Sequence, residues 1–271
     1  MDLSKVQAVF SDIDGTLLDS HSVLREKTIE SVSRLKVPFF LASGRYYKMM
    51  SPLAKELHID TPFVSANGGL IISSEGKIIQ EFPIANDILK EVLNELHQEF
   101  SSRIGLHLYD SKNWYCNSVS SPLFSLEYRV VRCYPDFANE DMRYLSSYPI
   151  SKFLLFSSKE ICSELYSRWE KRYHGRIHLF HEKDTMLEMF SSSASKGNGV
   201  KVLCDHYNFD VSQVLCAGDT LLDLSMIETA GYSVSMGNGC EELKKHAKII
   251  AKPTDEDGLS QILDQITDSS K

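Results

Sequence analysis

The chain has 271 residues, 42% hydrophobic and 24% charged, which is enough apolar material for one large core or two smaller ones. Its net charge of -8 argues against nucleic acid and against an anionic membrane surface as partners, because both recruit lysine and arginine. No apolar run approaches the roughly 18 residues of a membrane span. The opening MDLSKVQAVF lacks the apolar stretch of a secretory signal, and the six cysteines stand singly, so a cytoplasmic protein with reduced thiols is expected.

Val6–Phe10 reads as a buried strand that runs into Asp12, Asp14, Gly15 and Thr16. Thr28–Lys36 is predicted as a helix with Ile29, Val32 and Leu35 on one stripe. Val37–Ala42 is a second strand ending at Ser43, Gly44 and Arg45, and Phe63–Ala66 a third ending at Asn67. Leu70–Ile72 and Lys77–Gln80 flank the turn SSEG as a hairpin. Asn86 and Asp87 are then expected to cap an amphipathic helix that buries Leu89, Val92, Leu93, Leu96 and Phe100. From here the pattern changes to a hairpin (Arg103–Asp110, Asn113–Cys116), a strand (Ser151–Ser157), a helix (Lys159–Tyr173) and a second hairpin (Ile177–His181, Thr185–Phe190). After SSSASKGNG, alternation returns: helix Gly199–Tyr207, strand Gln213–Ala217, helix Leu221–Ala230, strand Tyr232–Met236, helix Glu241–Ala247, strand Lys248–Ala251 and helix Leu259–Ile266. The expectation is an α/β fold: a doubly wound, mainly parallel, Rossmann-like core of residues 1–83 and 189–271, with an α+β domain inserted at 84–188.

In open parallel sheets ligands sit outside the carboxyl ends of the strands. The sequence places Asp12 and Asp14, Ser43 to Arg45, Asp219 and Asp223 there, and Lys196 at a helix start. Carboxylates side by side repel unless a cation sits among them or one is protonated. Mg²⁺ suits such a set, because it takes a few carboxylates, waters and a phosphate oxygen. With Mg²⁺ between Asp12 and Asp219, the Asp12 carboxylate could attack phosphorus and form an aspartyl-phosphate. Asp14 could then protonate the leaving oxygen and deprotonate the attacking water. Lys196, with the hydroxyl and N–H groups of Ser43 and Gly44, would hold the other phosphate oxygens. Asp223 would bind metal-bound water or orient Lys196. DIDGTLLDSHSV is not an EF-hand loop, since Gly is at its fourth position and Val23 stands where Glu is required, and no P-loop pattern occurs. SKGNG and SGR are each weak alone, as ordinary helix starts and turns look alike; their order along the chain carries the signal.

Taken together, DIDGTLL at 12–18, Ser43 in LASGR, Lys196 in SKGNG and GDTLLD at 218–223 resemble the four motifs of the haloacid dehalogenase superfamily. SANGGLI and SVSMGNG extend the resemblance to its Cof-type subfamily, which carries a large α+β cap between motifs two and three. The resemblance implies a phosphatase acting on a small phosphorylated metabolite such as a sugar phosphate. It implies Asp12 as nucleophile, Asp14 as acid/base, Ser43 and Lys196 on phosphate, and Asp12, the Asp14 carbonyl, Asp219 and Asp223 on Mg²⁺. Leu222 departs from the family's G-D-x-x-N-D by replacing the Asn, which removes a polar group near phosphate but leaves both acids. Arg45 and Asn67 are candidate substrate contacts. Tyr109, Trp114, Tyr115, His178, His181 and Glu188 are candidates from the inserted domain, although aromatics in hairpins commonly just pack a sheet face. His178 and His181, three apart in a strand, face opposite sides and do not suggest a joint metal site. Two alternatives stay open: a sugar phosphomutase with related motifs, and a weakly catalytic metabolite-binding protein, for which Leu222 is the only hint.

Overall fold

Ala8–Ser11 (β1) has no exposed residue, as a strand requires when both faces of its sheet are covered. The computed structural model describes residues 2–118 and 134–269. Among these, β1 pairs in parallel with Phe39–Ala42 (β2) on one side and Val214–Gly218 (β12) on the other. Phe63–Ser65 (β3) continues beyond β2, and Tyr232–Ser235 (β13) and Ile249–Ile250 (β14) continue beyond β12, all parallel. Leu70–Ile72 (β4) returns antiparallel to β3 and Ile78–Glu81 (β5) closes that edge. The order β14-β13-β12-β1-β2-β3-β4-β5 is the doubly wound, mainly parallel sheet that the alternation predicts. It reverses direction at β1, so the crevice for a ligand opens at that strand's carboxyl end. Ser11 lies opposite both Leu41 and Ala217, and the next rung therefore carries Asp12, Ala42 and Gly218.

Helices Glu26–Ser33 (α1) and Tyr47–Glu56 (α2) belong to this first unit, and a core of Val9, Ile13, Leu41, Met50, Leu215, Val234 and Leu263 fills it. α2 has no counterpart in the sequence reading: Pro52 lies within it and only Met50 and Ala54 are buried. The helix expected at Gly199 starts three residues earlier, as Lys196–Tyr207 (α5), with Ser195 as its N-cap accepting from the Asn198 N–H at 3.1 Å. The helix expected at Leu221–Ala230 is a 3₁₀ turn, Leu221–Asp223, followed by Leu224–Thr229 (α6). Glu241–His246 (α7) and Gly258–Ser269 (α8) complete the unit.

Among the described residues, the second unit holds a six-stranded sheet in the order β10-β11-β9-β6-β7-β8. Its strands are Gly105–Tyr109 (β6), Trp114–Cys116 (β7), Phe137–Ala138 (β8), Lys152–Phe156 (β9), Ile177–Lys183 (β10) and Met186–Ser191 (β11). Helices Asn86–Glu99 (α3) and Lys159–Arg172 (α4) pack on it through Leu89, Leu93, Leu165 and Trp169. Nearly buried Glu95 of α3 accepts from Arg168 (2.5 Å), Arg172 (2.7 Å) and the Trp169 indole (3.3 Å), which ties the two helices together. The expected cap of α3 differs: Ala85 is its N-cap and makes no side-chain bond, so Asn86 and Asp87 lie in the first turn. β8 and the 3₁₀ turn Met142–Ser147 carry no periodicity that the sequence could show. The division runs Met1–Gln80 with Ser195–Lys271 and Glu81–Ala194, which keeps β11 whole where a boundary at 188 would cut it. Five cysteines are free thiols, and Cys133 lies outside the described residues. No helix of the described residues is long and apolar enough to cross a membrane.

Gly68 and Gly76 both hold left-handed φ, +89° and +84°, but a Cβ on Gly68 would collide with the Ser195 carbonyl while one on Gly76 meets only the Tyr47 hydroxyl at 3.7 Å. Left-handed strain costs either alanine variant about 1–2 kcal/mol, and overlap with backbone adds about 1–3 kcal/mol at Gly68 alone. Urea unfolding should accordingly place Gly68→Ala clearly below Gly76→Ala. Circular dichroism is the suitable probe, because both tryptophans, Trp114 and Trp169, lie in the second unit. Equal losses for the two variants would contradict the close seating of α5 on this turn.

Candidate active site

The end of β1 delivers Asp12, whose N–H donates to the Ala217 carbonyl at 2.9 Å and so extends the ladder one residue past the strand. Asp12 is 6% exposed. Its Oδ1 accepts from Lys196 Nζ at 2.5 Å, and the same ammonium donates to Asp223 Oδ1, also at 2.5 Å. Lys196, the first residue of α5, is 3% exposed. A lysine reaches such a place only when its charge is met. Burial alone would push its pKa down, but the Asp12 and Asp223 carboxylates outweigh burial and hold it above the ordinary lysine value.

Asp223 is fully buried and committed on both oxygens. Its Oδ2 accepts from the N–H groups of Asp219 and Thr220, each at 2.9 Å, and from the Thr220 hydroxyl at 3.3 Å. That capping box folds the GDTLLD turn back on itself. Gly218 makes the fold possible, since a Cβ there would overlap the Asp223 side chain. Asp219 takes the hydroxyl of Thr16 at 3.1 Å and lies across Gly15, whose φ of +85° and missing Cβ give it room. The Asn238 amide donates to the Gly15 carbonyl at 2.8 Å and accepts from the Thr254 N–H at 2.9 Å, which pins the same loop from β13's side.

Asp12, Asp219 and Asp223 each offer an oxygen within 4.8 Å of the others'. Among the described residues one ammonium faces these three carboxylates, and the titration of Asp12 and Asp219 reflects their surroundings. Burial raises Asp12 well above the ordinary carboxylate range, with Asp223 and Asp219 adding to it against the pull of Lys196. Burial, and then Asp223, raise Asp219 to about 6. An all-oxygen, negatively charged cluster short of a cation fits a hard divalent ion. Asp12 and Asp219 are the members with bonding capacity to hold one.

Ser43, after β2, is 2% exposed. Its N–H donates to the Val64 carbonyl at 2.8 Å, its hydroxyl accepts from the Arg45 N–H at 3.2 Å, and its carbonyl accepts from the Asn67 N–H at 3.0 Å. Asn67, with φ +52°, packs its amide against Gly44, where a Cβ would stand 3.0 Å from Nδ2. Asn67 therefore sits under the Ser43–Gly44 turn. The Asp14 side chain lies apart from the three-carboxylate cluster: Arg45 grips it in a fork, Nε to Oδ2 at 2.8 Å and Nη2 to Oδ1 at 2.5 Å. The resemblance assigned the metal the Asp14 carbonyl rather than this carboxylate. Leu222 is half-buried in the turn between Thr220 and Asp223.

The candidates in the second unit are engaged with neighbours in that unit. Tyr109 stacks on Trp114, whose indole donates to His107 Nδ1 at 3.0 Å. The Tyr115 hydroxyl donates to Asp110 at 2.8 Å, and Glu188 pairs with Lys152 at 3.0 Å. His178 lies beside Phe190 and His181 stacks on Tyr166, so the two rings are not brought together. Thr16, Thr220 and Asn238 carry no assigned role in the sequence reading, yet they shape the site. The hydroxyls sit inside the motifs, but Thr16 bonds Asp219, 203 residues away, and Thr220 bonds Asp223, three residues on; Asn238 sits in the GNG after β13, and only the fold shows which loop it holds.

Residues 9–263 match the family model for haloacid dehalogenase-like hydrolases. The chain is 28% identical over 265 residues to YkrA of Bacillus subtilis (strain 168), covering 95% of this chain and 96% of that one. It is 25% identical over 286 residues to the 5-amino-6-(5-phospho-D-ribitylamino)uracil phosphatase YwtE of the same strain, covering 96% and 98%. Among solved structures, a haloacid dehalogenase-like hydrolase from Bacteroides thetaiotaomicron superposes with a TM-score of 0.84 at 26% identity, covering 96% of this chain and 99% of that one.

Asp219 titrates near 6 in the folded chain against an ordinary 3.8. The folded state thus binds this proton more tightly than the unfolded state does. The stability that it contributes is complete below the unfolded pKa and is lost as the pH rises through about 6. Asp219→Asn removes that loss. In metal-free buffer the variant should gain on wild type between about pH 4 and about pH 7.5, by on the order of 2 kcal/mol. Thermal melts across the window measure the gap, and a gap that does not change with pH contradicts the charge deficit.

Proposed function

The chain belongs to the haloacid dehalogenase-like hydrolases, and on that footing we propose that it is a Mg²⁺-dependent phosphatase that hydrolyses a small phosphorylated metabolite through an aspartyl-phosphate on Asp12. One observation carries the reading: a buried ammonium joins Asp12 to Asp223 at the mouth of the sheet's reversal, with Asp219 as a third carboxylate. The named substrate of YwtE, a phosphorylated ribityl compound, supports the substrate class.

Each residue has one task in this scheme. Asp12 attacks phosphorus, its P–O bond forms, and the bond to the leaving oxygen breaks. Asp14 gives that oxygen a proton. Water then attacks phosphorus, Asp14 takes its proton, and the Asp12–phosphorus bond breaks to release inorganic phosphate. Lys196 orients Asp12 and neutralises phosphate charge, and the Ser43 hydroxyl with the Gly44 N–H holds the remaining oxygens. Mg²⁺, held by Asp12, the Asp14 carbonyl and Asp219, would supply the positive charge that lets a phosphate dianion approach a carboxylate. Asp223 serves through Lys196 and the Asp219 turn. Leu222 takes no charged role, since Thr220 and Asp223 supply the turn's hydrogen bonds. The free thiols fit a reducing, cytoplasmic setting.

Hydrolysis of p-nitrophenyl phosphate by the purified protein tests the scheme. Turnover should require Mg²⁺ and stop with EDTA. Asp12→Asn should keep the fold by circular dichroism and lose at least about 10³-fold in kcat. Near-wild-type turnover by that variant would exclude Asp12 as nucleophile.

A further inference from the structure

Asp14 has a demanding double task and an unpromising location. Its side chain is 55% exposed, whereas the other acids of the site lie mostly out of water. A carboxylate on the surface ordinarily wanders among rotamers, and a group that transfers protons must stay within hydrogen-bond reach of the reacting atoms. Among the described residues, the two bonds that hold this carboxylate both come from Arg45. A fork of this kind fixes the plane of the carboxylate as well as its distance, which a single ammonium cannot do.

Both ends of the pair are anchored before they meet. The Arg45 N–H donates to the Ser43 hydroxyl at 3.2 Å, and its carbonyl accepts from the Ala66 N–H at 3.0 Å and the Ser65 hydroxyl at 2.8 Å. Its side chain is 19% exposed. On the other side, Gly15 is pinned by Asn238, and Asp14 bridges to Leu18. An ion pair with one partner this exposed contributes at most about 1 kcal/mol to stability, so folding is a poor explanation for so much anchoring.

We propose that Arg45 is a positioning residue for the hydrolytic half of the reaction: it holds the Asp14 carboxylate aimed to take the proton of the water that attacks the phosphorylated Asp12. The proposal rests on the phosphatase reading above. In that step the water oxygen bonds to phosphorus, the bond from phosphorus to the Asp12 oxygen breaks with its electron pair returning to Asp12, and the proton ends on Asp14. Each Asp14 oxygen that accepts from Arg45 retains a lone pair for the water. Forming the phosphoenzyme from an aryl phosphate leans less on Asp14, because a nitrophenolate leaves without a proton.

The test is a rapid-mixing experiment on the full chain with Mg²⁺ and p-nitrophenyl phosphate, comparing wild type, Arg45→Ala, Arg45→Lys and Asp14→Asn. Arg45→Ala should show a burst of nitrophenolate that approaches one per enzyme, followed by a steady rate lower by about tenfold or more, with KM not raised. Arg45→Lys keeps the charge but lacks the fork, and should burst as well. A raised KM without a burst in Arg45→Ala would make Arg45 a substrate contact only, and wild-type kinetics in Arg45→Lys would reduce it to a point charge; either overturns the proposal. Asp14→Asn separates this from the underlying reading. If it bursts and Arg45→Ala does not, the Arg45 proposal alone falls; if Asp14→Asn shows no burst, Asp14 does not serve hydrolysis and both fall.

Discussion

A single buried ammonium organises the first unit. Lys196 stands 184 residues from Asp12 and 27 from Asp223 in the chain, yet its Nζ lies 2.5 Å from a carboxylate oxygen of each. Removing one partner of such a buried pair costs about 3–5 kcal/mol, because the remaining charge is stranded. The constraint reaches back into the sequence. For Lys196 to arrive, α5 must press against its neighbours, and the glycines of SKGNG answer that need: a Cβ on Gly197 would strike the Ser225 carbonyl, and one on Gly199 would strike Val64. The glycine-rich SKGNG is the tightly packed opening of a helix.

The same ammonium leaves the site short of positive charge. Three carboxylates converge where, among the described residues, one lysine is available; burial first, and then the neighbouring carboxylates, make Asp12 and Asp219 hold protons more tightly than free aspartates do. A site in that state attracts a divalent cation and, once supplied with one, an anionic phosphate. The charge deficit thus connects a packing fact to a chemical capacity. Ser43 and Gly44, held from below by Asn67, add neutral donors on the other flank without changing that balance.

Much of this was legible in the sequence, for reasons specific to each residue. Asp12, Asp219 and Ser43 could be placed because each directly follows or ends an apolar strand, and parallel strands in one sheet end at a common edge. Lys196 could be placed in the site but not in its helix, since glycines at 197 and 199 hide the first turn from any periodicity. α2 was invisible because Pro52 interrupts it and its buried stripe is two residues wide. The direction of Asp14 was beyond reach. Strand alternation would set it beside Asp12, but Gly15 turns the backbone out of the sheet, and a partner 31 residues away decides where the carboxylate rests. In the second unit, the described strands other than β8 and the helices α3 and α4 were readable from their patterning. The pairings of Trp114 with His107 and of Tyr115 with Asp110 depend on register that a sequence does not display.

The measurement that bears most directly on this account is the identity of the phosphorylated residue. Wild-type protein mixed with Mg²⁺ and a phosphate-labelled substrate, quenched in acid within one turnover and digested, should yield label on the peptide that contains Asp12 as an acid-stable, base-labile acyl phosphate. Label on another residue, or turnover at full rate with no labelled protein at any quench time, would contradict it.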